Sequence, residues 1–322
     1  KEPDAALRVW PDGKLPADAL NEPQLIASLI GMAQARLAAL KPRDKRSLEQ
    51  FKETMRPAWQ HTLQVEFPED SLTVEIGENK KSDGVTATHV AMGRAGRGDR
   101  VPAILLTPEK DTLRELVVLA HPDGRKGFLD DEGKPVGLAR KLLEHRRAVL
   151  LLDAFLTGER ADPARLKARN FFSNAFTTYN RTDLQERVQD LITACSFAHR
   201  HGKGRRVILC GAGRAGLWAL LAAPAADAVA ADCNALDLTT DEALMRQDLF
   251  VPGLRRIGAF AGAAALAAPN PLLIHNEGGT LSLDYVRAAY GAIGAAQSFR
   301  AEPTELSTEA LTDWIVQAKS RN

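Results

Sequence analysis

The sequence predicts an α/β fold, a mostly parallel twisted sheet with helices on both faces and an antiparallel N-terminal strand region. Three observations lead to it. From Leu116 onward short apolar runs alternate with stretches of helical periodicity, the pattern of right-handed βαβ crossovers. Before them lies a period-two region broken by Gly, Asn and Asp, the signature of antiparallel strands joined by hairpins. With 322 residues the chain is long enough to bury one large core.

Residues 1–60 read as an N-terminal extension, and 61–322 as the α/β domain. The extension opens with an extended segment, Arg8-Val9-Trp10-Pro11-Asp12-Gly13, followed by two helical stretches. In the first, Asn21 caps, Pro23 sits in the opening turn, and Leu25, Ile26, Leu29, Ile30 and Leu37 recur at helical spacing. From His61 the period changes to two, with strands expected at Leu63-Val65-Phe67, Leu72-Val74-Ile76, His89–Met92 and Val101–Thr107. Further strands are expected at Leu116–Ala120, Ala148–Asp153, Arg206–Cys210, Ala228–Asp232, Pro271–His275 and Gln297–Ala301. Helices fall between them near 136–145, 183–200, 214–223, 282–293 and 307–319. Thr182 with Gln185 forms a capping box, and Ser282 and Ser307 occupy N-cap positions.

The charges nearly cancel, 42 Lys+Arg against 41 Asp+Glu, so nothing marks a nucleic-acid or anionic-membrane surface. A small-molecule or carbohydrate ligand suits the balance better. The longest apolar run, Phe260–Ala268, is far short of the roughly 20 residues that span a bilayer. A soluble chain is expected. Cys195, Cys210 and Cys233 lack CxxC spacing and read as buried small hydrophobes rather than a zinc site or a disulfide framework. The chain begins at Lys1 rather than Met, which gives a trimmed leader, tag or preceding domain as the expectation.

Chemistry concentrates at Gly211-Ala212-Gly213-Arg214-Ala215-Gly216, a tight turn between strand and helix. As letters it is a complete GxGxxG, and Asp232 ends the next strand where a dinucleotide fold places its ribose-binding acid. That fingerprint normally lies on the first strand of its sheet, whereas here several strands come first. The alternative is a nucleophile elbow of the G-x-S-x-G kind, with Gly211 and Ala215 in the small positions and Gly213 where serine belongs.

In that order, four stretches resemble the acetyl xylan esterase and glucuronoyl esterase branch of the α/β-hydrolase superfamily, over residues 61–320. They are Val101-Pro-Ala-Ile-Leu-Leu-Thr-Pro108, Leu119-Ala-His121-Pro-Asp-Gly124, Tyr179-Asn-Arg181-Thr with Arg187 and Asp190, and the elbow, which is similar to a G-C-S-R-x-G elbow with Ser replaced by Gly. The resemblance implies an α/β-hydrolase fold, carboxylic-ester chemistry without a cofactor or metal, and an exported protein.

Serine catalysis on this fold needs a hydroxyl on the elbow, a late histidine and an acid, in chain order Ser, acid, His. Gly213 has no side chain, and the last of the seven histidines is His275, so the loop after the final strand, Glu302-Pro303-Thr304-Glu305, holds no base. The expectation is a degenerate, non-catalytic domain that binds a carbohydrate or serves as a scaffold, with half of a longer tandem esterase, its second domain upstream, as one version of it. Two alternatives stand beside it. One is a working hydrolase drawing on His121, Asp153, His275 and Glu277, and the other is dinucleotide binding through residues 211–216. Around the rim, Asp123, Gly124, Arg214 and Asp232 are expected to line a pocket, with Tyr179 and Arg181 following an aromatic, Asn-rich loop, Asn170–Phe176, that covers it. Gly124 and the Arg214 N–H stand where such folds build an oxyanion hole.

Overall fold

The computed structural model describes residues 1–10, 13–110, 115–173, 175–201 and 206–318. Pro11, Asp12, Asn174 and the last residue of the helix expected over 307–319 lie outside them. The chain divides into two compact units, Lys1–Leu40 and Lys41–Asn322.

The first unit holds one long helix, α1 (Glu22–Leu40), none of whose residues is buried. Asn21 caps it as expected. Its side chain accepts from the Gln24 N–H at 3.0 Å, and the Gln24 side chain accepts from the Asn21 N–H at 2.9 Å.

The second unit contains α2 (Lys45–Leu63), the second helix expected within residues 1–60. Leu48, Phe51, Met55, Trp59 and Leu63 are its buried stripe, spaced three and four apart. Here the expected strand at Leu63-Val65-Phe67 fails. Leu63 ends the helix, Gln64 adopts φ +52°, and the apparent alternation is the last turn followed by a buried Val65.

The sheet runs β1 (Leu72–Ser82), β2 (Val85–Arg94), β3 (Val101–Pro108), β4 (Glu115–Ala120), β5 (Ala148–Leu152), β6 (Arg206–Gly211), β7 (Ala228–Asp232), β8 (Leu272–His275) and β9 (Phe299–Glu302). Its spatial order is β1-β2-β3-β5-β4-β6-β7-β8-β9. The pairs among β1, β2, β3 and β5 are antiparallel, and the rest are parallel. Residues 115–120 and 148–152 are apolar throughout except Glu115, as expected of strands covered on both faces.

Helix α3 (Gly137–Glu144) packs with α11 (Thr308–Gln317) on one face, through Leu138, Leu142, Leu311 and Ile315 against Val117, Leu119, Val149 and Ile208. Helices α6 (Asp183–His201), α7 (Ala215–Ala222) and α9 (Ala259–Ala265) pack together in the other layer, joined by α10 (Asp284–Gly291). The Trp59 indole of α2 donates to the Leu221 carbonyl of α7 at 2.8 Å. Short helices α4 (Pro163–Ala168), α5 (Phe176–Tyr179) and α8 (Asp241–Leu244) sit in the connecting loops. The Thr182–Gln185 box and the Ser307 cap form as expected. Ser282 does not cap α10; Leu283 holds that position without a side-chain bond. Among the described residues no helix is long and apolar enough to cross a membrane.

Candidate functional site

Strand β6 delivers the chain to the turn at Gly211, and α7 leaves it at Ala215. The turn is as tight as its glycines suggest. A Cβ on Gly211 would lie 2.3 Å from the Ala215 carbonyl oxygen, and one on Gly216 would lie 1.9 Å from the Asp232 carbonyl oxygen. These two positions bring helix and strands together, so the second small position is Gly216 as well as the expected Ala215.

Gly213, at the apex, differs from both. Its φ is +52°, the left-handed conformation an elbow imposes on its central residue. The atoms nearest to a Cβ there would be Asn234 Oδ1 at 3.5 Å and Pro122 carbons at 3.7 and 3.8 Å, which is ordinary contact. Space for a side chain exists where none is present.

Asp232, at the end of β7, reaches back to this apex. Its Oδ2 accepts the Gly213 N–H at 2.9 Å, while Oδ1 accepts the Asn234 N–H at 2.7 Å and the Asn276 side-chain amide at 2.9 Å. One buried carboxylate therefore joins the elbow to the loops after β7 and β8. The sequence placed Asp232 on the rim but did not foresee Asn234 or Asn276, whose only signal is their position just past strand ends.

The strand topology and the elbow decide the architecture together. Strands β2 to β9 follow an antiparallel-then-parallel order with one crossover at β4 and β5, and the elbow follows β6. The fold is that of an α/β-hydrolase. Among solved structures the chain is similar to the methylesterase BT1017, at 17% identity and TM-score 0.61, over 88% of this chain and 66% of that one. An acetyl xylan esterase candidate from Bacteroides fragilis aligns at 13% identity and TM-score 0.62, covering 89% and 84%. A glucuronoyl esterase from Solibacter usitatus aligns at 14% identity and TM-score 0.53, covering 85% and 93%. This chain thus spans about two thirds of the methylesterase, 66% by residues. No protein-family model and no curated protein matches the sequence.

In this α/β-hydrolase fold Asp232 and His275 end neighbouring parallel strands beside the elbow, while Asp153 and Gly124 make contacts of their own. Asp153, fully buried past β5, is consumed by structure. Its Oδ1 accepts the Arg125 N–H at 2.8 Å, and its Oδ2 accepts Arg125 Nε at 3.0 Å and the Glu159 N–H at 3.3 Å. Three of the roughly four lone-pair positions of this carboxylate are therefore taken up by Arg125 and the Glu159 N–H, a bracing role for the residue expected as a catalytic candidate. Arg125, which the sequence reading missed, is the cation that lets this carboxylate be buried.

Gly124 is likewise structural. Its N–H donates to the His121 carbonyl at 2.9 Å, and a Cβ there would lie 2.2 Å from Asp153 Oδ1. Half of the expected oxyanion hole is therefore spent on a turn. Among the described residues the Arg214 N–H makes no hydrogen bond. The Arg214 side chain turns away to Asp248, at 2.7 Å.

His121 is half-buried, with its ring edge-on to Phe128 and its Nδ1 accepting the Asp123 N–H at 3.0 Å. Burial holds its pKa below the ordinary histidine value, against the raising effect of Asp123. His275, 3% exposed at the end of β8, accepts the Leu306 N–H on Nδ1 at 3.4 Å. Burial lowers its pKa too, opposed by Asp232 and Glu305. Glu277 follows two residues later, 9% exposed, and its Oε2 is buried without a hydrogen-bond partner. Among the described residues no three His, Cys, Asp or Glu side chains form a metal-binding group.

The three cysteines are free and buried, and burial raises each thiol, Cys210 and Cys233 to about 12. None is poised to attack.

Among the described residues, neither Tyr179 nor Arg181 makes a hydrogen bond to an elbow residue. Tyr179 is 84% exposed. Arg181 bonds the Gln185 carbonyl at 3.3 Å and pairs with Glu186 at 3.6 Å, rather than with Asp183 or Asp190. Those acids are taken by Arg169 and Arg160, at 2.5 and 3.0 Å. Arg181 contributes instead to a cavity of about 340 Å³ with Gln64, Glu66, Arg94 and Arg97. A larger cavity of about 510 Å³ opens beside Phe155, Leu156, Glu159, Arg160 and Arg165, past the end of β5. Neither is lined by an elbow residue. The cue in the sequence was the arginine-rich segment from Arg160 to Arg187, in which Arg160, Arg169 and Arg187 stack on Phe155, Phe171, Phe176 and Trp218.

Proposed function

We propose that this chain is a non-catalytic, carbohydrate-esterase-like domain that binds a carbohydrate without cleaving an ester. The observation that carries the reading is Gly213, a residue without a nucleophile held in elbow geometry with its N–H bound to the Asp232 carboxylate. Ester hydrolysis by this fold needs an attacking oxygen and a base, and residues 303–307, Pro-Thr-Glu-Leu-Ser, contain no histidine. The likeness to acetyl xylan and glucuronoyl esterases supports sugar as the ligand class. The near-zero net charge agrees with a ligand bound by shape and hydrogen bonds.

The test is an assay on nitrophenyl acetate, acetylated xylo-oligosaccharides and methyl uronates, run beside calorimetric titration with the unesterified sugars. Heat of binding without turnover is expected. Turnover that disappears in His275→Ala or Glu277→Ala would establish the second reading, a hydrolase with a non-standard site, which the unpartnered Glu277 Oε2 favours. A dinucleotide reading is disfavoured because the Gly213 N–H, which would face a pyrophosphate, already meets an anion. Titration with NAD(P) at millimolar concentration decides that point. The same proposal includes a version in which the domain is one part of a longer tandem esterase, and an open reading frame upstream of Lys1 that encodes a second similar domain supports it.

A further inference from the structure

Helix α1 presents an apolar seam to solvent. Leu25, Ile26, Leu29 and Ile30 are each about half exposed, at 49%, 49%, 55% and 51%, and Met32 is 67% exposed. A single helix of 19 residues is marginal in water by itself, and such a stripe ordinarily faces a partner. Single exposed apolar side chains need no explanation, but a contiguous row of them marks an interaction surface.

The pattern along α1 says what the partner is. Glu22, Ile26, Leu29, Ala33, Arg36 and Leu40 succeed one another at steps of four and three, the spacing of a seam that pairs with another helix. Glu22 and Arg36 are the only charged residues in α1, and both fall on that seam rather than on the far face. They stand at equal distances on either side of Leu29. In an antiparallel pair of two copies centred on Leu29, Glu22 of each copy meets Arg36 of the other, and the leucines and isoleucines between them close over each other. A lipid surface would favour cations along a polar face. The far face of α1 carries none.

We propose that α1 is a self-association element, through which two copies of this chain pair in antiparallel register about Leu29. The proposal is independent of the carbohydrate-binding reading. The helix is about 28 Å long, so the paired strip lies at the low end of stable interfaces, and dimerisation is expected at micromolar concentration.

The experiment is sedentation of the full chain by analytical ultracentrifugation over about 1–100 μM, with four variants. A reversible monomer–dimer equilibrium is expected, with Leu29→Glu monomeric throughout. Glu22→Arg places like charges opposite one another twice per dimer and weakens association about fivefold, while the double swap Glu22→Arg with Arg36→Glu restores it. Leu29→Cys forms a disulfide-linked dimer under mild oxidation, and Ala35→Cys, on the opposite face, does not. A chain that stays monomeric at 100 μM overturns the proposal. So does binding to neutral or anionic vesicles by a chain that remains monomeric, or equal cross-linking of the two cysteine variants. Circular dichroism of Leu29→Glu separates lost pairing from lost helix, and the charge swap tests register without removing apolar surface.

Discussion

Replacing Gly213 by serine places a hydroxyl at the elbow apex and tests the non-catalytic reading. The structure has room for it, since the new Cβ meets nothing nearer than Asn234 Oδ1 at 3.5 Å. The cost lies in the backbone. A residue with a Cβ held at φ +52° gives up about 1–2 kcal/mol relative to glycine, so Tm should fall by roughly 2–4 °C. Activity should not appear. The late loop supplies no histidine, and removing the base from an intact triad alone lowers kcat by about 10^6-fold. Gly213→Ser is measured by differential scanning calorimetry and by a nitrophenyl acetate assay sensitive to a single acylation event. Gly216→Ala is the control, because its Cβ would sit 1.9 Å from backbone oxygen, and it should cost at least about 3 kcal/mol or prevent folding. Turnover by Gly213→Ser would refute the argument that the base is lost. A Gly216→Ala protein as stable as wild type would refute the packing of the elbow.

Three further outcomes follow from the same contacts. Arg125→Ala strands the fully buried Asp153 carboxylate and should destabilise the domain by about 3–5 kcal/mol in urea unfolding; a loss under 1 kcal/mol would show that Asp153 needs no partner. Asp190 is raised by burial to about 7, opposed by Arg160, so the folded state holds a proton that the unfolded chain releases near its ordinary value; stability should therefore fall as pH rises from about 4 to about 7, and Asp190→Asn should flatten that slope. His121 and His275 are both depressed by burial, so protonation favours the unfolded chain and stability should drop as pH falls below 6.5; NMR titration should find both midpoints below that value, and an elevated midpoint for either would contradict its burial.

Much of the fold was legible because the apolar patterns are regular. The strands from Leu116 onward, the Thr182 box and the Ser307 cap depend on local sequence, and all form. The Leu63-Val65-Phe67 misreading has a specific cause. A helix that ends with an apolar residue and resumes with another two positions later mimics period two, and only packing of Trp59 onto α7 distinguishes them. The site was legible in position but not in occupancy. Sequence order placed Asp153, Gly124, Asp232 and His275 at one rim, yet which lone pairs remain free depends on Arg125, Asn234 and Asn276, whose roles arise from contacts between segments far apart in the chain.

Those contacts also bear on the proposed reading of Gly213 as a replaced serine. Had only the hydroxyl been absent, the surrounding groups would be expected to stay arranged for catalysis, with rim carboxylates open to water. Instead Asp153 is bound to Arg125, the Gly124 N–H is spent in a turn, and Asp232 ties the elbow to two neighbouring loops. Asp232→Asn offers the sharpest discrimination. It keeps the shape but replaces one accepting oxygen with a donor that must face an N–H, and loss of a charge-assisted bond should cost about 1.5–3 kcal/mol. If Asp232 is a structural clamp, urea stability falls by that amount and sugar binding follows stability. If it instead serves a reaction, stability holds and any measured turnover falls alone.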